Sequence, residues 1–63
     1  MNRLKFLRLC RGYTQAQLAK MIGKPQSYVG RIESEDIKLS NISLAIGVKI
    51  SKALEVDVES LLK

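Results

Sequence analysis

Apolar residues recur every three or four positions along the chain, and potential capping residues separate the apolar segments, which is the pattern of short helices. Asn2 can cap a first helix that runs to about Arg11, where Gly12 ends it. Three residues of this segment share a three-residue spacing and should face the core. They are Leu4, Leu7 and Cys10, the last as a small core residue.

The second segment has the clearest start signal. Thr14, followed three residues later by Gln17, forms a capping box, and the helix is predicted from Gln15 to Ile22 with Gly23 at its end. The residues predicted to face inward are Leu18, Ala19 and Ile22.

A third helix is predicted from about Pro25 to Glu33, because proline is tolerated in the first turn, where its missing N–H would have no intrahelical partner. Val29 and Ile32 are its inner residues, with part of Tyr28. Residues 34–42 are expected to form a loop.

Two further helices complete the chain. Ser43 should cap a fourth helix over 44–54, with Ser40 as an alternative start, and Asp57 should cap a fifth over 58–62. The fourth helix is expected to bury Leu44, Val48, Ile50 and Leu54. No segment alternates as a strand would, so the pattern predicts an all-α fold of five short helices in one domain, residues 1–63.

Charge is distributed unevenly. Residues 1–32 hold seven basic side chains and no acidic one, whereas residues 33–63 hold four basic and six acidic, which agrees with the net charge of +5. A basic half on a small domain suits a polyanion such as nucleic acid, although charge alone is equally consistent with simple solubility. We expect Arg3, Lys5 and Arg11 to face solvent.

Composition excludes several classes of function. One cysteine and no histidine leave neither an internal disulfide nor an ordinary zinc site, and no cofactor is expected. No nucleophile elbow, paired carboxylates or phosphate-binding glycine loop is present, so we expect neither an enzyme nor a small-molecule substrate. No apolar run could span a bilayer, and the acidic fifth helix argues against a membrane-active peptide. A cytoplasmic protein is expected.

Two short helices joined by a tight glycine-containing turn have the arrangement of a DNA-binding helix-turn-helix. Ala19 supplies the small residue where the helices cross, and Gly23 tolerates the left-handed backbone of the turn. Val29 anchors the third helix, whose opposite side is then free to enter a major groove.

The stretch "GYTQAQLAKMIGKPQSYVGRIE", followed by "NISLAIGVKISKALEVDVESLL", resembles the lambda-repressor-like helix-turn-helix domains of the Xre/Cro family over nearly the whole chain. The resemblance implies a five-helix lambda-repressor-like bundle that binds double-stranded DNA. It also implies an ion pair between Arg8 and Glu33 that stabilises the fold.

The resemblance also implies roles for residues near the third helix. The base-contacting residues would be Gln26, Ser27 and Arg31. The candidates for the DNA backbone are Gln15, Lys24, Tyr28 and Lys38. Lys24 and Lys38 are included because they flank the helix. Without the resemblance, the base-contacting set would read as an ordinary solvated helix face.

The sequence departs from the family pattern at three places. Lys24 and Pro25 stand where an aliphatic residue and a small polar cap are usual, so the third helix should lack a side-chain N-cap. Glu35 replaces a common glycine, and Gly30 replaces a residue with a side chain. Gly30 either allows close approach to DNA or has no functional role.

The sequence indicates a transcriptional regulator that binds an operator, usually as a homodimer on an inverted repeat. Dimer contacts are expected around Val56, Val58 and Leu61 and the adjoining loop. The alternative is a protein-interaction module with the same fold, such as an antitoxin. Phe6 and Leu9 lie on a second face of the first helix, where they either cover the fifth helix or form an exposed patch used in pairing.

Overall fold

The computed structural model describes residues 2–62, and within that range it contains helices and no strand. The helices are α1 (Arg3–Cys10), α2 (Gln15–Ile22), α3 (Gln26–Glu33), α4 (Leu44–Leu54) and α5 (Val58–Leu62). A 3-10 turn, Leu39–Asn41, lies in the loop before α4. The all-α prediction is therefore confirmed, and α4 begins after Ser43 rather than at the alternative start. None of the helices in this range is both long and apolar enough to cross a bilayer.

Each predicted N-cap contributes a hydrogen bond. Asn2 accepts from the Lys5 amide at 2.9 Å, and Thr14 and Gln17 form the reciprocal capping box. Ser43 accepts from the amide of residue 46 at 3.2 Å, and Asp57 accepts from that of residue 60 at 2.9 Å. The start of four helices is thus determined by the side chain that precedes it.

The core lies where α2 meets α3 and α4. α1 packs against α3 and α5, and α5 closes the bundle against α4. The fully buried apolar side chains are Leu4, Leu18, Ala19, Ile22, Val29, Ile32, Ile50, Leu54 and Leu61. All inward positions predicted for α2, together with Val29 and Ile32 in α3, are confirmed.

The prediction for α1 was wrong at Cys10, which is exposed. In an α-helix, two residues three positions apart point in directions that differ by about 60°. Cys10, six positions after Leu4, therefore points about 120° away from it. Arg8, four residues after Leu4, falls closer to the same direction and is buried instead. Leu7, between them, is half-buried against the core.

The prediction for α4 was wrong at Leu44, which is 75% exposed, and overestimated Val48, which is half-buried. The buried positions of this helix centre on Gly47 and Ile50. Gly47 has no side chain, so an apolar pattern does not reveal that it faces the core. The predicted face was consequently rotated towards Leu44 and Val48.

Two arginines of the N-terminal region, both expected to face solvent, are bound to the C-terminal helices; Arg3 is half-buried, whereas Arg11 is exposed as expected. The Nε of Arg3 donates to the Ser60 carbonyl at 3.0 Å, and the Nε of Arg11 donates to the Leu54 carbonyl at 2.9 Å. Arg11 also lies 3.5 Å from the carboxylate of Glu55. Carbonyl groups at helix C-termini lack intrahelical donors, so both arginines satisfy groups that would otherwise need water.

Candidate nucleic-acid interface

The turn between α2 and α3 depends on Gly23. Its backbone is left-handed, with φ of 72° and ψ of 32°, and the Lys24 amide donates to the Ala19 carbonyl at 2.9 Å. A side chain would strain this conformation, whereas glycine adopts it freely. Ala19 is only 2% exposed, as expected for a small residue where two helices cross closely. The turn therefore fixes the angle at which α3 leaves α2.

The start of α3 lacks a side-chain cap, as the sequence predicted. Pro25 occupies the N-cap position with an extended backbone, and its carbonyl accepts from the Tyr28 amide at 3.0 Å. The first amides of a helix have no intrahelical acceptor, and the proline ring offers none. The N–H groups of Gln26 and Ser27 can therefore donate to a phosphate oxygen, which the helix dipole also favours.

The outer face of α3 carries the residues predicted to read bases. Gln26, Ser27 and Arg31 are all exposed, while Val29 and Ile32 on the opposite side are completely buried. Within residues 2–62, the side chains of those three exposed residues make no hydrogen bond or ion pair with the protein. The helix thus presents three polar side chains whose hydrogen-bonding groups are free for a ligand.

The end of α3 is held by a buried ion pair, which confirms the contact implied by the family resemblance. Arg8 Nε donates to Glu33 Oε2 at 2.6 Å and Nη2 donates to Oε1 at 3.0 Å. The third guanidinium donor, Nη1, reaches the Tyr13 carbonyl at 2.7 Å. Both charged side chains are less than one tenth exposed, so the bidentate geometry is essential to offset their desolvation.

Glu33 is ionised at neutral pH for a physical reason that the contacts make clear. Burial disfavours the carboxylate, but hydrogen bonds from Arg8 and Gln15, together with the charges of Arg8 and Lys5, outweigh burial. The pKa of Glu33 is consequently below its ordinary value. The pair connecting α1 to α3 is therefore charged under ordinary conditions.

Gln15, predicted to contact the DNA backbone, makes a contact within the fold that the sequence did not indicate. Its Nε2 donates to Glu33 Oε1 at 3.1 Å, which connects the first residue of α2 to the last residue of α3. The same side chain lies beside Gly30, where an added Cβ would be 3.7 Å from Gln15 Oε1. Gln15 is half-buried and keeps one further amide hydrogen for a phosphate.

Lys24 and Tyr28 lie together at the start of α3. The Lys24 ammonium is 5.3 Å from the centre of the Tyr28 ring, within the range of a cation–π contact. In a continuous helix, a spacing of four residues would bring the two side chains together. Because Lys24 lies in the turn before α3, the spacing alone did not predict this contact. The two backbone candidates thus form one positively charged group beside the outer face.

Lys38 lies in the loop after α3, and it is exposed. The Ile37 amide donates to the Arg31 carbonyl at 3.1 Å, which keeps this loop close to the last turns of α3. Glu35 makes the turn out of the helix with a left-handed φ of 67°, where the family pattern has glycine. Within residues 2–62 no cluster of three acidic or cysteine side chains could hold a metal ion.

Comparison with known proteins agrees with this geometry. A family model described as helix-turn-helix matches residues 4–61, which is nearly all of the chain. Searches of curated proteins and of solved structures gave no significant match. The family comprises DNA-binding domains rather than enzymes. With α2 and α3 forming the motif, the chain belongs to the lambda-repressor-like, or Xre-like, helix-turn-helix family of DNA-binding regulators.

Proposed function

We propose that residues 1–63 act as one domain that binds a specific double-stranded DNA operator and regulates transcription, in the cytoplasm and in association with the nucleoid. α3 enters the major groove. The observation that carries this proposal is its outer face, where three polar side chains have free hydrogen-bonding groups on a helix whose inner face is fixed. Rigid presentation of a few polar groups is what base reading requires.

Each outer residue has a defined chemical task in this proposal. Arg31 can donate two hydrogen bonds to guanine, and Gln26 can pair with adenine through its amide. Ser27 can donate to or accept from a base edge. Gln15, Lys24, Tyr28 and Lys38 contact the DNA backbone, and these phosphate contacts set the position of α3 along the groove.

The proposal includes a homodimer on an inverted repeat, with the two copies of α3 about 34 Å apart. Leu61 was expected at the dimer contact, but it is completely buried in the core. The supporting feature is instead an apolar groove of about 170 Å³ beside α5, whose lining includes Val58, Leu44 and Leu62. Leu44 is 75% exposed and Leu62 is 54% exposed, and both are high exposed fractions for large apolar side chains.

The same groove supports the second candidate function, a protein-interaction module such as an antitoxin. In that case the groove receives a different protein and DNA reading is secondary. Self-association separates the two candidates, because a dimeric regulator forms its dimer without another protein.

Selection of duplexes from a random pool tests the proposed function. We expect an enriched inverted repeat that binds at nanomolar concentration and loses affinity steeply as salt rises. Lys24→Ala should weaken all duplexes alike and reduce the salt slope by about one unit. Lys52→Ala, on an exposed site of α4, is the matched control and should change neither the affinity nor the salt slope. The absence of any preference over random duplex would refute sequence-specific binding.

A further inference from the structure

The outward side of α1 is apolar, although it faces solvent. Phe6 and Leu9 are each 49% exposed, and Cys10 beside them is exposed as well. We call these three residues the outer α1 face. They lie on the opposite side of the helix from the buried Leu4 and Arg8, and they remain exposed in the folded chain. A surface helix ordinarily carries polar residues at these positions.

A basic rim borders the outer α1 face. The guanidinium carbon of Arg3 is 5.7 Å from the centre of the Phe6 ring, and its Nε is held by the Ser60 carbonyl. Lys5 is exposed on the other side of the patch. The charge of Arg3 is therefore fixed next to the apolar residues. No acidic residue occurs in residues 1–32, so none on α1 or α2 neutralises the rim. Glu33 of α3 is close enough to interact with the charge of Lys5, but its carboxylate is already paired with Arg8.

The charge of the rim discriminates among possible occupants. A second copy packed on the same face would bring two basic rims together, and like charges in an interface are unfavourable. DNA would satisfy the two basic residues but would leave Phe6 and Leu9 in contact with phosphate. The complementary surface is one that combines apolar side chains with carboxylates.

We propose that the outer α1 face docks an acidic amphipathic helix of another protein. Two apolar side chains of that helix pack on Phe6 and Leu9, and its carboxylates pair with Arg3 and Lys5. α1 has eight residues, a length of about 12 Å, which matches about two turns of a partner helix. An interface of this size is typical of weak, transient complexes.

Panning a display library of helical peptides, randomised at surface positions, against the full chain tests the proposal. We expect enrichment of sequences with apolar residues at i and i+3 or i+4 and flanking Asp or Glu. Synthetic copies of the enriched peptides should bind at least about tenfold more weakly to the Phe6→Ser/Leu9→Ser variant. Lys5→Glu should also weaken them, while Met21→Ser, an equally exposed apolar site on α2, should not.

Several controls keep the outcome unambiguous. Circular dichroism checks that each variant is folded, and duplex binding by the Phe6→Ser/Leu9→Ser variant should be unchanged. Enrichment without acidic residues, or equal binding to that variant and to the unmodified chain, would contradict the proposal. If the Phe6→Ser/Leu9→Ser variant no longer self-associated, the outer α1 face would instead bind a second copy of this chain. Binding to phosphatidylglycerol vesicles but to no peptide would assign it to a membrane surface.

Discussion

The inner and outer faces of α3 contrast in how their side chains are held. On the inner face Val29 and Ile32 are completely buried, and Glu33 is fixed by Arg8. On the outer face the side chains of Gln26, Ser27 and Arg31 are exposed and form no hydrogen bond or ion pair within residues 2–62. The residues of this short helix that stabilise the fold and those proposed to recognise DNA therefore lie on opposite sides of it. Substitutions on the inner face should change folding, whereas those on the outer face should change DNA binding.

Of the substitutions that test this contrast, Glu33→Ala on the inner face should have the largest effect, a loss of folding stability. The variant leaves the Arg8 guanidinium buried without its carboxylate, and breaking a buried pair in this way costs about 3–5 kcal/mol. We expect a comparable decrease in the free energy of unfolding, measured by urea denaturation. Glu59→Ala, which removes an exposed carboxylate, should change it by less than about 0.5 kcal/mol. Equal effects of the two substitutions would show that the inner face does not depend on the ion pair.

The pH dependence of stability should follow from the same pair. The pKa of Glu33 is lowered by folding, so its stabilising contribution is present above the ordinary value of 4.5. The contribution is lost as pH falls through the lowered pKa of the folded state. The difference in unfolding free energy between the unmodified chain and Glu33→Ala should therefore narrow in acid. Urea denaturation from about pH 7 to about pH 3 measures it; a constant difference would contradict this assignment.

Arg31→Ala on the outer face should have the opposite effect, weakening DNA binding while leaving folding stability nearly unchanged. Losing a bidentate contact to guanine costs about 1–3 kcal/mol of operator binding and relaxes the preference at one base pair. Because Arg31 is exposed, the free energy of unfolding should change by less than about 0.5 kcal/mol. Titration against the selected operator and its single-base variants measures both affinity and preference. A uniform loss across all variants would place Arg31 on the phosphate backbone instead.

Glu35→Gly should stabilise the end of α3. Glu35 has a φ of 67°, a conformation that costs a residue with a side chain about 1 kcal/mol and glycine almost nothing. We expect a gain of about 1 kcal/mol in the free energy of unfolding, without altered operator preference. Glu35→Ala controls for the lost charge, and Asp36→Gly, at a neighbouring site without positive φ, should destabilise. An equal gain from Glu35→Ala would attribute the effect to charge rather than to the backbone.

Gly30→Ala should produce the smallest change, at the border between the two faces. Alanine favours a helix over glycine by about 0.5–1 kcal/mol. The new methyl group would meet Gln15 at 3.7 Å, an ordinary contact, so the Gln15–Glu33 hydrogen bond should persist. Thermal unfolding should show a small gain. If operator affinity fell while stability rose, Gly30 would be required for close approach to DNA.

Helix starts could be predicted from the sequence because their cause is local. Asn2, Thr14, Ser43 and Asp57 each bond an amide three residues ahead, so the residue and its consequence lie in the same turn. The set of residues on the outer face of α3 was also predictable, because helical periodicity places them opposite Val29. Their contacts with DNA remain a prediction.

Contacts between distant segments could not be predicted in the same way. The buried face of α4 includes Gly47, which contributes no hydrophobic signal. Cys10 is exposed although it continues the spacing of Leu4 and Leu7, which pack in or against the core. The binding of Arg3 and Arg11 to helix C-termini depends on where α4 and α5 end in space. Likewise, the hydrogen bond from Gln15 to Glu33 forms only once α2 and α3 have packed together.

The hydrogen bond from Arg3 to Ser60 joins residues 57 positions apart, which places the first helix beside the last. A short linker could therefore connect α5 to α1, and new ends could be opened in the exposed residues 34–36. In such a circularly permuted chain, α2, its turn and α3 would remain one uninterrupted segment. α3 would then lie next to a chain end, to which a second copy of the domain could be fused in tandem.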